Sequence, residues 1–205
     1  MPLQNRVTPF GDIVVTPERG TFTGNRGIIH DPLTRTLLSK RWSNPAWLIC
    51  VCDFRDRRRD VMASRSWTEL FFLDEATALA AGHRPCFYCR RDDANAFRAA
   101  WEQGNNVTRP KAKEIDATLH AERLEGRKKR LHALPGGIDE LPDGAMIAAE
   151  GVSYLMVRGK AMRWSFGGYH AVDIRLKDAS LLTPPSTVQA MCAGYRAMLH
   201  ASAQP

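Results

Sequence analysis

The sequence predicts an α+β fold in which antiparallel strands surround two or three helices and a cysteine-rich turn. Short alternating apolar runs bounded by glycine predict a small meander, with strands over 145–149, 153–158 and 162–166. Apolar residues at helical spacing predict helices over 91–103, 111–125 and 187–200. Because strands and helices are segregated along the chain, the pattern favours α+β over a regular βαβ succession.

Length and composition bound the organisation of the chain. With 205 residues, 44% of them hydrophobic, it can bury a core as one domain or as a domain with an appended lobe. Residues 133–144 are rich in turn formers and predict a boundary. We therefore expect a core domain over 1–132, which contains the cysteine-rich turn, and a meander plus C-terminal helix over 133–205 that packs on it.

Cysteine usage and hydropathy predict a cytoplasmic protein. The chain has five cysteines, and this odd number favours reduced thiols over a disulfide framework. Cys192 lies in an apolar run and is expected to be buried. No apolar run is long enough to span a bilayer, and the N-terminal residues lack a secretion signal. We expect no membrane partner.

The first third of the chain supplies strands and two closely spaced cysteines. Residues 1–45 predict loops and edge strands, because glycine and proline interrupt each apolar run. The second half of Trp42–Phe54 is apolar enough for a central strand. In a strand Cys50 and Cys52 point to one face, so both can approach a metal ion if that face meets the cysteine-rich turn. The alternative is that both are core residues.

The cysteine-rich turn follows a strand and a short helix. Leu70–Leu73 predicts a buried strand, Asp74 an N-cap and Gly82 the end of a helix over 75–81. In the cysteine-rich turn, which we also call the knuckle, Cys86 and Cys89 form a C-x-x-C pair before the next helix. Two thiolates at this spacing reach one ion through a tight turn, and Zn²⁺ is the ion that such knuckles bind most often.

Residues 70–91 resemble the zinc-binding domain of the bacterial alkylation-response protein Ada, in which a strand, an alanine-rich helix and a Gly-aromatic-Arg-Pro-Cys-x-x-Cys knuckle follow in this order. The matching residues are Gly82, Arg84, Pro85, Cys86 and Cys89. The resemblance implies a zinc ion held by four cysteines and contacts to the DNA backbone. Cys50 and Cys52 would complete the set, with C-x-C spacing where that family has C-x3-C.

The remaining ligands stay open at this point. Besides the strand cysteines, the residues eligible as ligands are His30, His83 and His120. A closed site with four protein ligands would be structural, whereas an open position would permit catalysis.

A second set of motifs resembles the zinc-dependent deaminases. His120-Ala121-Glu122 matches their H-x-E element and Pro85-Cys86-x-x-Cys89 their P-C-x-x-C element, in reversed order. The resemblance implies His120 as a ligand and Glu122 as the general base. However, residues two positions apart point to nearly opposite sides of a regular helix, so both face one ion only if the helix is distorted.

The charge of the chain predicts a polyanionic partner. The formal net charge is +7, and the basic residues are clustered. We expect contacts to nucleic acid, with DNA favoured over RNA but both left open, from Arg57, Arg58, Arg84, Arg90, Arg91, Lys128 and Lys129. The sequence thus predicts a zinc-containing nucleic-acid-binding protein that senses or processes modified DNA. The alternatives are a zinc-dependent hydrolase or deaminase acting on a nucleobase or nucleic acid, and a zinc enzyme for a small molecule.

Overall fold

Antiparallel sheets and four helices form the part of the chain described by the computed structural model, namely residues 1–56, 60–172 and 178–204. The strands are β1 Gln4–Val7, β2 Ile13–Val15, β3 Phe22–Asn25, β4 His30–Asp31, β5 Thr36–Leu37, β6 Leu48–Val51, β7 Leu70–Phe72, β8 Arg84–Pro85, β9 Leu124–Glu125, β10 Lys128–Lys129, β11 Met146–Ala149, β12 Val152–Val157, β13 Lys160–Ser165, β14 Gly168–Ala171 and β15 Ser180–Leu181. The helices are α1 Glu75–Ala80, α2 Arg91–Gly104, α3 Ala112–Arg123 and α4 Pro185–Cys192. The predicted α+β class is confirmed.

The first sheet has six strands in the order β2-β1-β7-β3-β6-β8. Its pairs are antiparallel except β1 with β7 and β6 with β8, which are parallel. In the centre Thr23 of β3 lies opposite Cys50 of β6 on one side and Phe71 of β7 on the other. Directly paired residues share a face of the sheet, so these three side chains lie on the same face.

The second sheet is the predicted meander with two added edge strands. Its order is β14-β13-β12-β11-β15, and all its pairs are antiparallel. Gly151 and Gly159 adopt positive φ at the turns between β11, β12 and β13. This backbone conformation explains why glycine separates the three apolar runs.

Helix α1 is buried throughout and packs with both sheets. Asp74 caps it, and the Asp74 carboxylate accepts a hydrogen bond from the Thr77 amide, as the sequence predicts. Ala78 and Leu79 belong to the hydrophobic cluster that contains the first sheet, whereas Ala76 belongs to the cluster of the second sheet. The helix ends before Gly82, whose positive φ is compatible with glycine.

The C-terminal helix is shorter than predicted. The helix expected over 187–200 ends at Cys192, because Gly194 adopts a positive φ and the chain turns away. The amides of Met198 and His200 then donate to buried carboxylates of Glu75 and Asp74 instead of to helical carbonyl groups. Cys192 is exposed, so the expectation that it is buried is wrong.

The larger hydrophobic cluster combines residues from both sides of the predicted boundary at 132/133. Ile115 of α3 and Val188 of α4, for example, both belong to it. The division into 1–132 and 133–205 stays a prediction. None of the helices in the described ranges combines the length and apolar character needed to cross a lipid bilayer.

Two buried ion pairs connect the elements around the cysteine-rich turn. Arg90 Nη1 lies 2.8 Å from Glu75 Oε1, and both side chains are almost fully buried. Arg84 binds the Asp116 carboxylate through Nε and Nη2, at 2.7 and 2.8 Å. A buried ion of this kind destabilises the fold strongly when its partner is removed.

We expect Glu75→Ala to lower the free energy of unfolding by about 3–5 kcal/mol, because it leaves the Arg90 guanidinium buried without its main counterion. Urea denaturation measures the loss. Asp93→Ala is the matched control, since Asp93 contacts the same guanidinium from a partly exposed position and its removal should cost about 0–1 kcal/mol. Equal losses in the two variants would contradict this account.

Candidate metal centre

Strand pairing brings the cysteine-rich turn beside the central strand. β8 runs parallel to β6, with Pro85 opposite Ile49, and the Cys86 amide donates to the Ile49 carbonyl at 3.0 Å. This bond places Cys86 next to Cys50 although the two lie far apart in sequence. The Arg90 amide donates to the Cys86 carbonyl at 2.9 Å and closes the turn from which α2 begins.

Three cysteines converge at this position. The sulfur atoms of Cys50, Cys86 and Cys89 all lie within 4.8 Å of one another. We call these residues the cysteine triad. In the described ranges it is a group of ligand-type side chains that can hold a metal ion. Cys50 and Cys86 are buried and Cys89 is partly buried.

The three thiols are electrostatically coupled. Hydrogen bonds from the thiols of Cys50 and Cys89 lower the pKa of Cys86 well below that of a free thiol. Hydrogen bonds with Cys86 and Cys89, together with burial, raise the pKa of the Cys50 thiol. At Cys89 the contact with Cys50 lowers the pKa, but Cys86 and burial raise it, and the net shift is upward. Negative charge in the triad is therefore favoured on Cys86, and a bound cation would favour deprotonation of Cys50 and Cys89 as well.

Backbone amides stabilise negative charge on the triad. The Tyr88 amide donates to Cys86 Sγ at 3.4 Å, and the Cys89 amide also lowers the pKa of this thiol. The Val51 amide acts in the same way on Cys89. Three thiolates in such a setting can serve as ligands for a soft divalent metal ion.

The triad lines a cavity of about 630 Å³. The walls are largely apolar and aromatic, with Phe54, Trp67, Phe71 and Tyr88 among them. Asn25, Asn44 and Glu69 add polar groups. An open coordination position on the triad would thus face a space that can hold a small molecule.

Glu69 is a cavity residue that the sequence analysis missed. It is buried, at 5% exposure, and its Oε2 accepts a hydrogen bond from the Met62 amide at 2.9 Å. It directly precedes β7 and lines the same cavity as Cys50. The sequence shows that Glu69 lies two positions before Phe71. Only the tertiary structure brings Glu69 and Cys50 to the same cavity.

The other eligible ligands lie outside the triad. Cys52 is exposed and its thiol contacts the Thr21 carbonyl at 3.5 Å, although Cys52 also lines the cavity. His30 is hydrogen-bonded to Thr68 and to the Ser64 carbonyl. The ring of His83 is buried between Phe72 and Trp47. The structure therefore brings together three of the four cysteines for which the sequence predicts metal binding.

The two residues predicted to be catalytic have other partners. His120 Nδ1 accepts a hydrogen bond from Arg123 at 2.7 Å, and its ring packs edge-on against Trp42. Glu122 Oε2 accepts from the amide and the hydroxyl of Ser186, at 3.2 and 2.5 Å. Neither residue belongs to the triad or lines its cavity. Because α3 is a regular helix here, residues 120 and 122 diverge.

The cations predicted to bind nucleic acid fall into three groups. Arg84 and Arg90 form the buried ion pairs described above, so their guanidinium groups have intramolecular partners. Arg91 and Lys128 are exposed, and Lys129 is partly buried and donates to the Ala80 carbonyl. The predictions for Arg57 and Arg58 fall outside the described residues.

Comparisons with known proteins add no relative. No family model matches the sequence, no curated protein matches it, and no solved structure matches the fold. The resemblances of residues 70–91 to the Ada zinc domain and of residues 120–122 to the deaminases therefore remain predictions from motifs. What the centre can do follows from its geometry.

We expect purified protein to contain about one zinc ion per chain and to lose it in Cys50→Ser, Cys86→Ser and Cys89→Ser, because each change removes one thiolate of the triad. Metal analysis measures the content. Cys52→Ser and His120→Ala are the matched controls and should keep their zinc. Loss of zinc in Cys52→Ser would instead indicate a closed four-cysteine site.

Proposed function

We propose that this protein is a zinc-dependent hydrolase for a small molecule that binds in the cavity beside the cysteine triad. One observation carries the proposal: the three converging thiols line a cavity of about 630 Å³ that also contains a buried carboxylate, Glu69. A structural zinc site has four protein ligands and needs no cavity. Three protein ligands beside a cavity are typical of a site that binds a substrate at the metal.

Each part of the site has a role in this proposal. Zn²⁺ with one open position supplies Lewis-acid chemistry that activates water and polarises a carbonyl or amidine group. Glu69 binds the Met62 amide through Oε2, and we assign Oε1 to hold a proton or a donor group of the substrate. Asn25 and Asn44 supply amide groups that can orient a polar substrate.

The walls of the cavity favour a flat substrate. Phe54, Trp67 and Tyr88 offer aromatic surface, and a planar ring that carries an amide or amidine group would stack on it. A nucleobase has this chemistry, so deamination of a nucleobase is the reaction class that we infer. In this proposal Glu69 takes the place that the motif assigns to Glu122, because the Glu122 carboxylate binds Ser186.

The first test asks whether the metal has an open position. In protein reconstituted with Co²⁺, we expect visible absorption bands of a cobalt–thiolate centre that shift when imidazole is added, because an open position accepts an external ligand. Cys52→Ser is the control and should give the same shift. Absorption bands that do not shift when imidazole is added would show a closed centre and overturn the proposal.

The second test concerns Glu69. We expect zinc-loaded protein to release ammonia from cytosine, adenine or guanine, and Glu69→Gln to lower kcat/KM by about 10²–10⁴-fold with zinc retained. The amide can still accept the Met62 hydrogen bond, so the variant should fold. The control is Glu18→Gln, at an exposed position outside the cavity. Equal activity of the two variants would contradict the role of Glu69.

A second candidate function is nucleic-acid binding through an exposed basic surface. Two observations favour it: the net charge of +7, and the exposed Arg91 directly behind the knuckle that resembles the Ada domain. Phosphate contacts from such residues make affinity depend on salt.

We expect binding to a duplex DNA oligonucleotide whose affinity falls with salt, and Arg91→Gln to lower the slope of log Kd against log salt by about 1. Fluorescence anisotropy at several salt concentrations measures this slope. Lys113→Gln, at an exposed position on α3, is the matched control. A Kd that is independent of salt would rule out this second function.

A further inference from the structure

A second cavity, of about 300 Å³, is surrounded by positive charge. We call it the basic pocket. Its cationic lining residues are Arg26, Arg41, Arg123, Arg127, Lys128 and Lys129. Asp12 is the acidic residue among those that line it. It shares no lining residue with the cavity beside the cysteine triad.

None of the six cations forms an ion pair with another described residue. Arg84 and Arg90 show the contrast, because each of these buried arginines has a carboxylate partner. Buried charges in proteins are usually paired in this way. Among the residues that line the basic pocket, Asp12 is the one carboxylate, and within the described parts of the chain it forms no salt bridge with the six cations.

Two arginines of the pocket are almost fully buried and flank one tryptophan. Arg26 and Arg123 are 2% and 1% exposed, and their guanidinium carbons lie 3.9 and 3.8 Å from the ring centroid of Trp47. Their hydrogen bonds go to neutral acceptors, such as the carbonyls of Gly11 and Gly82 at 2.9 Å. Arg26 Nη2 and Arg123 Nε are buried and have no hydrogen-bond partner among the described residues. Such donors are rarely left unpaired in folded proteins.

The pKa values of three cations in the basic pocket are lowered. Burial, and then repulsion from Arg123, lower the pKa of Arg26 to about 9. Burial also lowers the pKa of Arg123 to about 9. At Lys129 burial and repulsion from these two arginines lower the pKa to about 7. An anion in the pocket would relieve each of these penalties.

We propose that the basic pocket binds a phosphate monoester, which carries up to two negative charges and several acceptor oxygens. Arginine forks match phosphate oxygens, and the lysines add positive charge. The pocket is recessed, with its two buried arginines beside Trp47 and with Arg41, Arg127 and Lys128 exposed. A terminal phosphate is small enough for a pocket of about 300 Å³. The group could belong to a free nucleotide or to a phosphorylated end of nucleic acid.

The test uses inorganic phosphate and adenosine 5′-monophosphate as ligands in titration calorimetry with the full chain. We expect both to bind, and Arg41→Gln and Lys128→Gln to weaken each by about tenfold, since each removes a charged donor from an exposed position. Arg19→Gln and Lys113→Gln, at exposed positions outside the pocket, are the matched controls. No binding, or equal losses in pocket and control variants, would overturn the proposal.

Asp12→Asn provides a test of opposite sign. Asp12 is exposed and lines the pocket, so removal of its charge should tighten phosphate binding about threefold or more. If the cations of the basic pocket only stabilise the fold, Asp12→Asn should not tighten phosphate binding. Unchanged or weaker binding in this variant would contradict the proposal.

Two oligonucleotides separate the sources of the phosphate. A single strand with a 5′-phosphate should bind more tightly than the same strand with a 5′-hydroxyl if the pocket takes nucleic-acid ends. Equal binding of the two strands, with phosphate and the nucleotide still bound, would assign the pocket to small phosphorylated molecules. Phosphate binding in the basic pocket is expected to be independent of the metal centre. Titrations repeated with Cys86→Ser protein check this independence.

Discussion

Two buried carboxylates at the start of α1 hold together the parts of this fold. Asp74 accepts hydrogen bonds from the Tyr169 hydroxyl of the second sheet, at 2.9 Å, and from the His200 amide near the C-terminus. Glu75 accepts from the Tyr195 hydroxyl at 2.6 Å and pairs with Arg90 at the end of the knuckle. Burial of a carboxylate without such partners would be costly, so each element must be in place for the others to be stable.

The same network determines the geometry of the metal centre. The Arg90 side chain binds Glu75, and its amide closes the turn that carries Cys86 and Cys89. The knuckle is thereby fixed to α1, while the pairing of β8 with β6 sets its distance from Cys50. Thiols held in this way need little rearrangement to bind a metal ion, which favours affinity.

Charge is distributed unevenly between the two cavities. The triad places three sulfur ligands, of which Cys86 favours negative charge, beside a largely apolar space, whereas the basic pocket concentrates cations around Trp47. Leu48 and Cys50 line the first cavity and Trp47, one residue earlier, lines the second. Neighbouring residues of an extended segment point to opposite sides, so one short stretch contributes to both. The two sites can therefore bind groups of opposite character, a cation at the triad and an anion in the pocket.

The sequence by itself determined the local structure: the cap at Asp74, the helix after it, the knuckle and the meander all follow from short-range patterns. It also placed Cys86 and Cys89 together, since their spacing requires no tertiary contact. Only the tertiary structure decided that Cys50 joins them and that Glu69 faces the same cavity, because strand register is a long-range property. For the same reason no local pattern distinguishes Arg90, neutralised by Glu75, from Arg26, which lies in a pocket of cations.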